Sequence, residues 1–184
     1  RHDFMVPITW KGKKIDLVFE GVMTDALVKI NGKTASTFHQ GAFYAFQYDV
    51  SALVKFGKMN ALEVEVSKHS ENSSVNAAER KGDYWIFGGI FRPVYLKLSP
   101  AEHISHVAVD AKADGSFRAT VQASPNTSVS VELFDQKNTS LGKVNPVDLD
   151  AAGNAELRHL FNGVLTWNPE QPTLYMALFS LMKD

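Results

Sequence analysis

Hydrophobic and polar residues alternate along this chain in short runs separated by turn signals. In residues 14–22, Ile15, Leu17 and Phe19 fall on one face and Asp16, Val18 and Glu20 on the other, the two-residue period of a β-strand. Residues 26–30 and 33–37 flank Asn31-Gly32. Asn-Gly between two such runs predicts a type I′ hairpin turn, because both central residues must accept positive φ. Residues 42–48 read as an aromatic strand, and residues 49–54 as one turn of helix capped by Asp49 or Ser51. Residues 61–68 alternate cleanly, with Leu62, Val64 and Val66 inward and Glu63 and Glu65 outward, and residues 94–98 close the first strand set.

Between these runs, residues 67–82 are rich in Ser, Asn and charge and predict a long surface loop; loops of that length in compact domains are often functional. After Ser99-Pro100 a second strand set opens. Residues 103–110, 117–123, 129–135 and 174–181 are strand-like, with turns at Asp114-Gly115 and at Ser124 to Thr127 and a loop over 162–172. This spacing predicts an immunoglobulin-like sandwich. The expected fold is therefore all-β, in two domains, residues 1–100 and 101–184, joined near residues 99–103. No stretch supports a long amphipathic helix, and no internal repeat relates the halves.

Composition narrows the functional classes. A hydrophobic share of 45% and a charged share of 21% are ordinary for a globular protein. A formal net charge of −1 gives no global field toward nucleic acid or an anionic membrane, and no apolar run reaches the length of a spanning helix. The absence of cysteine excludes disulfides and thiolate metal sites. Arg1 is read as a cut inside a longer protein, so the compartment stays open between periplasm, secretion and cytoplasm.

Candidate chemistry is sparse. His103 and His106 lie at the start of a strand, where they need not face the same side, and no third ligand is near, so no metal site is expected. Gly88-Gly89 leads into a strand and is no nucleotide fingerprint; no cofactor is expected. Glycoside hydrolysis needs two carboxylates flanking the scissile bond. Glu63 and Glu65 share a solvated strand face, and no residue is assigned as catalytic. The dense polar and aromatic cluster is Glu79-Arg80-Lys81-Gly82-Asp83-Tyr84-Trp85. A carboxylate that accepts from sugar hydroxyls, beside aromatic faces that meet sugar C–H surfaces, suits carbohydrate recognition. Trp85, with Phe87 and Phe91, is read as alternating into the sandwich core. Asp83 is open between a turn cap and a sugar ligand.

These residues also carry a resemblance. Phe19-Glu20-Gly21-Val22, Ala26 through Asn31-Gly32, and His39-Gln40-Gly41-Ala42-Phe43 with Phe46, Asp49 and Val50 resemble the sugar-binding domain of glycoside hydrolase family 2; Ala42 stands where that pattern has a second glycine. So does Asn60-Ala61-Leu62-Glu63-Val64. Trp85-Ile86-Phe87-Gly88-Gly89-Ile90-Phe91-Arg92-Pro93-Val94 is the most specific match, and Trp167-Asn168-Pro169 with Pro172-Thr173-Leu174-Tyr175 resembles the end of the family's second domain. The resemblance implies a jelly-roll sandwich, N-terminally truncated, then an immunoglobulin-like one, from an enzyme of β-galactosidase type whose catalytic barrel lies outside this chain. A missing strand would leave an open edge for pairing, with a homo-oligomer as one outcome. The resemblance further implies that Asp83, with Tyr84 and Arg80, reaches the barrel's sugar site, so the expected partner is a β-galactoside or related carbohydrate together with the barrel, and no nucleic acid or membrane. A free carbohydrate-binding module and a scaffold protein are the alternatives.

Overall fold

The computed structural model describes residues 1–82 and 85–183. The chain divides into two units, one over Arg1–Ala101 and a second beginning at Glu102. Both are built of antiparallel strands.

The first unit contains β1 (His2–Val6), β2 (Lys14–Phe19), β3 (Val22–Met23), β4 (Asp25–Ile30), β5 (Lys33–Thr34), β6 (His39–Gln40), β7 (Phe46–Asp49), β8 (Lys58–Ser67), α1 (Ser73–Glu79), β9 (Gly89–Ile90) and β10 (Val94–Ser99). One sheet runs β1-β8-β4-β5, with β6 also on β4; a second runs β10-β2-β7; β3 pairs with β9. Val28, Ile30 and Leu62 from the first sheet meet Ile15, Leu17 and Phe19 from the second in one buried cluster, which makes the unit a sandwich. The alternation in β2 is present, but Asp16 and Val18 are buried too, since β2 is the middle strand of its sheet. Asn31 and Gly32 have φ of 52° and 79° between the paired Ile30 and Lys33, the turn expected from their sequence. The chain between 42 and 48 enters a sheet only at Phe46, whose ring stacks between Phe19 and His39. β1 and β10 are outer strands, and an apolar recess of about 580 Å³, lined in part by Phe4, Met5, Trp10 and Tyr95, touches both.

The second unit contains β11 (Ile104–Ala111), β12 (Ser116–Ala123), β13 (Ser128–Phe134), β14 (Ser140–Asp148), β15 (Asn154–Leu160) and β16 (Met176–Met182). Its sheets run β11-β12-β15 and β14-β13-β16. Phe117, Ala119, Val121, Ala155 and Leu157 face Val129, Val131, Leu133 and Val144 across the core. β14 and β15 are additions to the strand set read from sequence. Tyr175, just ahead of β16, turns its hydroxyl back to Leu165, accepting from the amide N–H at 2.7 Å.

Candidate functional site

The site is assembled where three strands of the first unit end together. Register places Asp25 of β4 opposite Gln40 of β6 on one side and Ser67 of β8 on the other. The long loop leaves from Ser67, so a side chain on β4 is within reach of its first turn. Asp25 is buried, and its Oδ2 accepts from the backbone N–H of Glu71 at 2.8 Å and from Gln40 Nε2 at 3.3 Å. Its Oδ1 is also buried and has no hydrogen-bond partner among the described residues. Gln40 donates as well to Ser70 Oγ, which accepts in addition from the Asn72 N–H. Asn76 then closes on the backbone of Ser70 with both ends of its amide: Oδ1 accepts from the Ser70 N–H at 3.0 Å, and Nδ2 donates to the Ser70 carbonyl at 2.6 Å. Buried polar groups joined in this way favour one arrangement.

The loop is not irregular throughout. It contains α1, whose first turn is capped by Asn72 Oδ1 accepting from the Ser74 N–H. The C-terminal end of α1 is fixed by its last residue. Both carboxylate oxygens of Glu79 lie 3.0 Å from the N–H of Ala42, which is fully buried beside the end of β6. Arg80 Nη1 donates to the Lys68 carbonyl at 2.5 Å, and Thr24 Oγ1 donates to the same oxygen at 3.0 Å. The two ends of the loop are thereby tied to each other and to β4 and β6.

His39 stands beside this network. Its Nε2 is 2.7 Å from the Gly41 carbonyl and its ring stacks on Phe46. Burial pushes its pKa down, against the opposing pull of the Gly41 hydrogen bond and of the Asp25 and Glu79 charges.

Of the three residues read as sugar contacts, Arg80 is half-buried at the end of α1, with one guanidinium nitrogen engaged as described. Asp83 and Tyr84 lie outside the described residues. Trp85 and Phe87 require a correction. The sequence pattern places them in the core, yet Trp85 is 84% exposed and Phe87 60% exposed. The reason is local: the pairing with β3 begins only at Gly89, so residues 85–88 have no strand partner and no pleat to send alternate side chains inward. Phe87 packs along Phe91 at 6.3 Å between ring centroids, and Gly88 lies against the Lys68 stem. Asp25 and Asn76 are not singled out by the sequence, and Glu79 stands there only as the first residue of the polar and aromatic cluster, with no role of its own. Nothing in their spacing marks them, because the bonds of Asp25 and Glu79 reach backbone that is distant along the chain and those of Asn76 stay within an irregular turn.

The recess beside Asp25 has a volume of about 260 Å³, with Phe38, Glu65, Ser67 and Glu71 among its lining. That is below the usual size of an enclosing ligand site. Among the described residues no group of three or more His, Cys, Asp or Glu could hold a metal ion, and no helix is long and apolar enough to cross a membrane.

The first unit is thus an all-β sandwich that carries a braced polar loop and exposed aromatics at one end. The chain belongs to family 2 of the glycosyl hydrolases, whose sugar-binding domain matches residues 1–100. A β-galactosidase from Thermoanaerobacter pseudethanolicus is 28% identical over 194 residues, covering 100% of this chain and 26% of its own length. A β-glucuronidase from Bacteroides fragilis is 31% identical over 151 residues, 82% of this chain and 19% of its own. The solved structure of Bifidobacterium dentium β-glucuronidase complexed with coumarin-3-O-glucuronide shares the fold with a TM-score of 0.79 at 21% identity, covering 100% of this chain and 36% of that one. The chain thus spans about a quarter or less of the curated relatives named here.

Proposed function

We propose that this chain forms two non-catalytic domains of a family 2 glycosidase of β-galactosidase type. Residues 1–100 are the jelly-roll domain and residues 101–184 the immunoglobulin-like domain. They support a catalytic barrel, and the loop over residues 67–82, with Asp83 at its end, completes its sugar site. The observation that carries this reading is the exposed pair Trp85 and Phe87 directly after a loop braced at both ends. Aromatic faces left in water at the end of a fixed loop suit a surface that another body covers. The immunoglobulin-like assignment rests on the sheet orders β11-β12-β15 and β14-β13-β16, which follow the A-B-E and C′-C-F pattern, and on Tyr175, which makes the corner contact typical of the strand at the β16 position.

In this reading Asp83 accepts hydrogen bonds from a sugar hydroxyl, with Tyr84 and Arg80 beside it, and the two carboxylates of the hydrolysis belong to the barrel. The isolated chain should hydrolyse no chromogenic galactoside, because it supplies neither the acid nor the nucleophile. In the enzyme that contains it, Asp83→Asn should depress turnover of a galactoside while the melting temperature holds. Wild-type turnover in Asp83→Asn would overturn the reading. Galactose binding by the isolated chain that vanishes in the same variant would favour a free carbohydrate-binding module instead.

A further inference from the structure

Glu79 is the most specifically placed charged group that the proposed chemistry does not use. It ends α1, and both of its carboxylate oxygens converge on a backbone N–H that belongs to a different part of the chain, 37 residues away. That N–H is on Ala42, which has no solvent exposure, so water cannot readily replace the carboxylate. Such charge-assisted hydrogen bonds are stronger than neutral ones. Directly after Glu79 comes Arg80, turned back onto the Lys68 carbonyl, and further along the same stretch the exposed Trp85.

We infer that Glu79 is a positioning residue for the sugar site, acting through Arg80, the proposed sugar contact that directly follows it. This inference rests on the reading above, in which Arg80 stands beside the sugar. The argument is one of populations. The start of the loop is held independently of Glu79, by Asp25 on Glu71 and by Asn76 on Ser70. Loss of Glu79 therefore leaves α1 attached at its N-terminal side, while its C-terminal side keeps Arg80 on the Lys68 carbonyl as its remaining described attachment and gains freedom to shift. A binding segment that occupies its competent position for only a fraction of the time weakens apparent affinity by that fraction. The effect should fall on substrate binding, since the reacting carboxylates lie elsewhere. Glutamine keeps one acceptor oxygen for the Ala42 N–H and should keep most of the position; alanine keeps none.

The test uses the glycosidase that contains this chain, with three variants side by side. Glu79→Ala should raise KM for an aryl galactoside about tenfold, the scale of one charge-assisted hydrogen bond, with a much smaller change in kcat. Glu79→Gln should restore KM to within about threefold of wild type, as expected for a neutral hydrogen bond in the same place. Asp83→Asn reports separately on the underlying reading. If Asp83→Asn impairs turnover and Glu79→Ala lowers the melting temperature but leaves KM unchanged well below melting, Glu79 is only structural and the inference fails. If Asp83→Asn is without effect, the sugar-site reading itself fails. Should Glu79→Ala not fold, Glu79→Gln at wild-type KM together with Glu79→Asp at raised KM supports the positioning role, because the shorter side chain retains the charge but not the reach; wild-type KM in both overturns it.

Discussion

Asn31 Nδ2 donates to Asn60 Oδ1 at 2.8 Å, joining the β4–β5 turn to strand β8. Asn31 also accepts from the Ala61 N–H and donates to the Leu53 carbonyl. Asn60 is 2% exposed, accepts in addition from the Lys55 N–H, and donates to the Lys55 and Lys58 carbonyls. A buried amide with this many partners is costly to remove. Asn60→Ala should destabilise the first unit by roughly 2–4 kcal/mol, because several buried groups lose their partner together. Denaturant unfolding with an unchanged slope and a lowered midpoint checks it; an unchanged midpoint would contradict it.

Gly89 has φ of +77°, and a Cβ built on it meets nothing within 4 Å. The cost of a side chain there is conformational and not steric. Gly89→Ala should destabilise by roughly 1–2 kcal/mol, and Gly89→Val should cost more because β-branching adds its own restriction. The β3–β9 pairing, in which Gly89 faces Met23, is where the loss should appear. Thermal melting of both variants, ranked against wild type, settles the order.

Three aspartates close turns in the second unit. Asp114 accepts from the Ser116 N–H, Asp135 from those of Thr139 and Lys137, and Asp150 from those of Asn154 and Ala152. These backbone donors hold all three carboxyls below their ordinary pKa of 3.8. A folded-state pKa below the unfolded one means stability that is complete above the unfolded value and lost as pH falls through the folded one. The second unit should therefore weaken as pH falls below 3.8. In the Asp135→Asn, Asp150→Asn double variant the urea midpoint should fall less over that range. An equal slope in the variant would show that other groups govern the acid limb.

Tyr175 ties the chain ahead of β16 to Leu165 through its hydroxyl. Tyr175→Phe removes that acceptor and leaves the ring in place. It should cost about 1 kcal/mol, the net worth of an ordinary hydrogen bond, and should speed amide exchange at Leu165 more than elsewhere in the unit. Uniform exchange across the unit would mean that the contact is incidental.

Much of this architecture is legible in the sequence where one rule acts alone. The Asn31-Gly32 turn is readable because few other residue pairs accept two positive φ values, and β8 and β12 are readable because inward and outward residues alternate along each. β14 is hidden by Gly142 and Pro146 and by shifts in its register with β13, which break the alternation. β15 is hidden because only Ala155 and Leu157 are buried, while Arg118 and Arg158 share Glu156 on the outer face. α1 has no buried residue; it is held by the Asn72 cap and by the bonds of Asn76 and Glu79, which leave no periodic trace. Trp85 misleads because an aromatic beside a strand is usually core, and here the strand starts only at Gly89.

The bracing of the loop has a consequence for how such a segment can change over evolution. Its fixed points are Glu71, Asn72, Asn76, Glu79 and Arg80, whereas Ser73, Ser74, Ala77 and Ala78 face solvent. Anchor and cargo are thus written on different residues of the same seven-residue helix and its flanks. New side chains can be tried at Ser73, Ala77 and Ala78, larger ones included, without disturbing the attachment, whereas the Ser74 hydroxyl donates to the Asn72 cap. In the proposed reading the loop is a plate whose outer face can be recut while the sandwich beneath it stays the same.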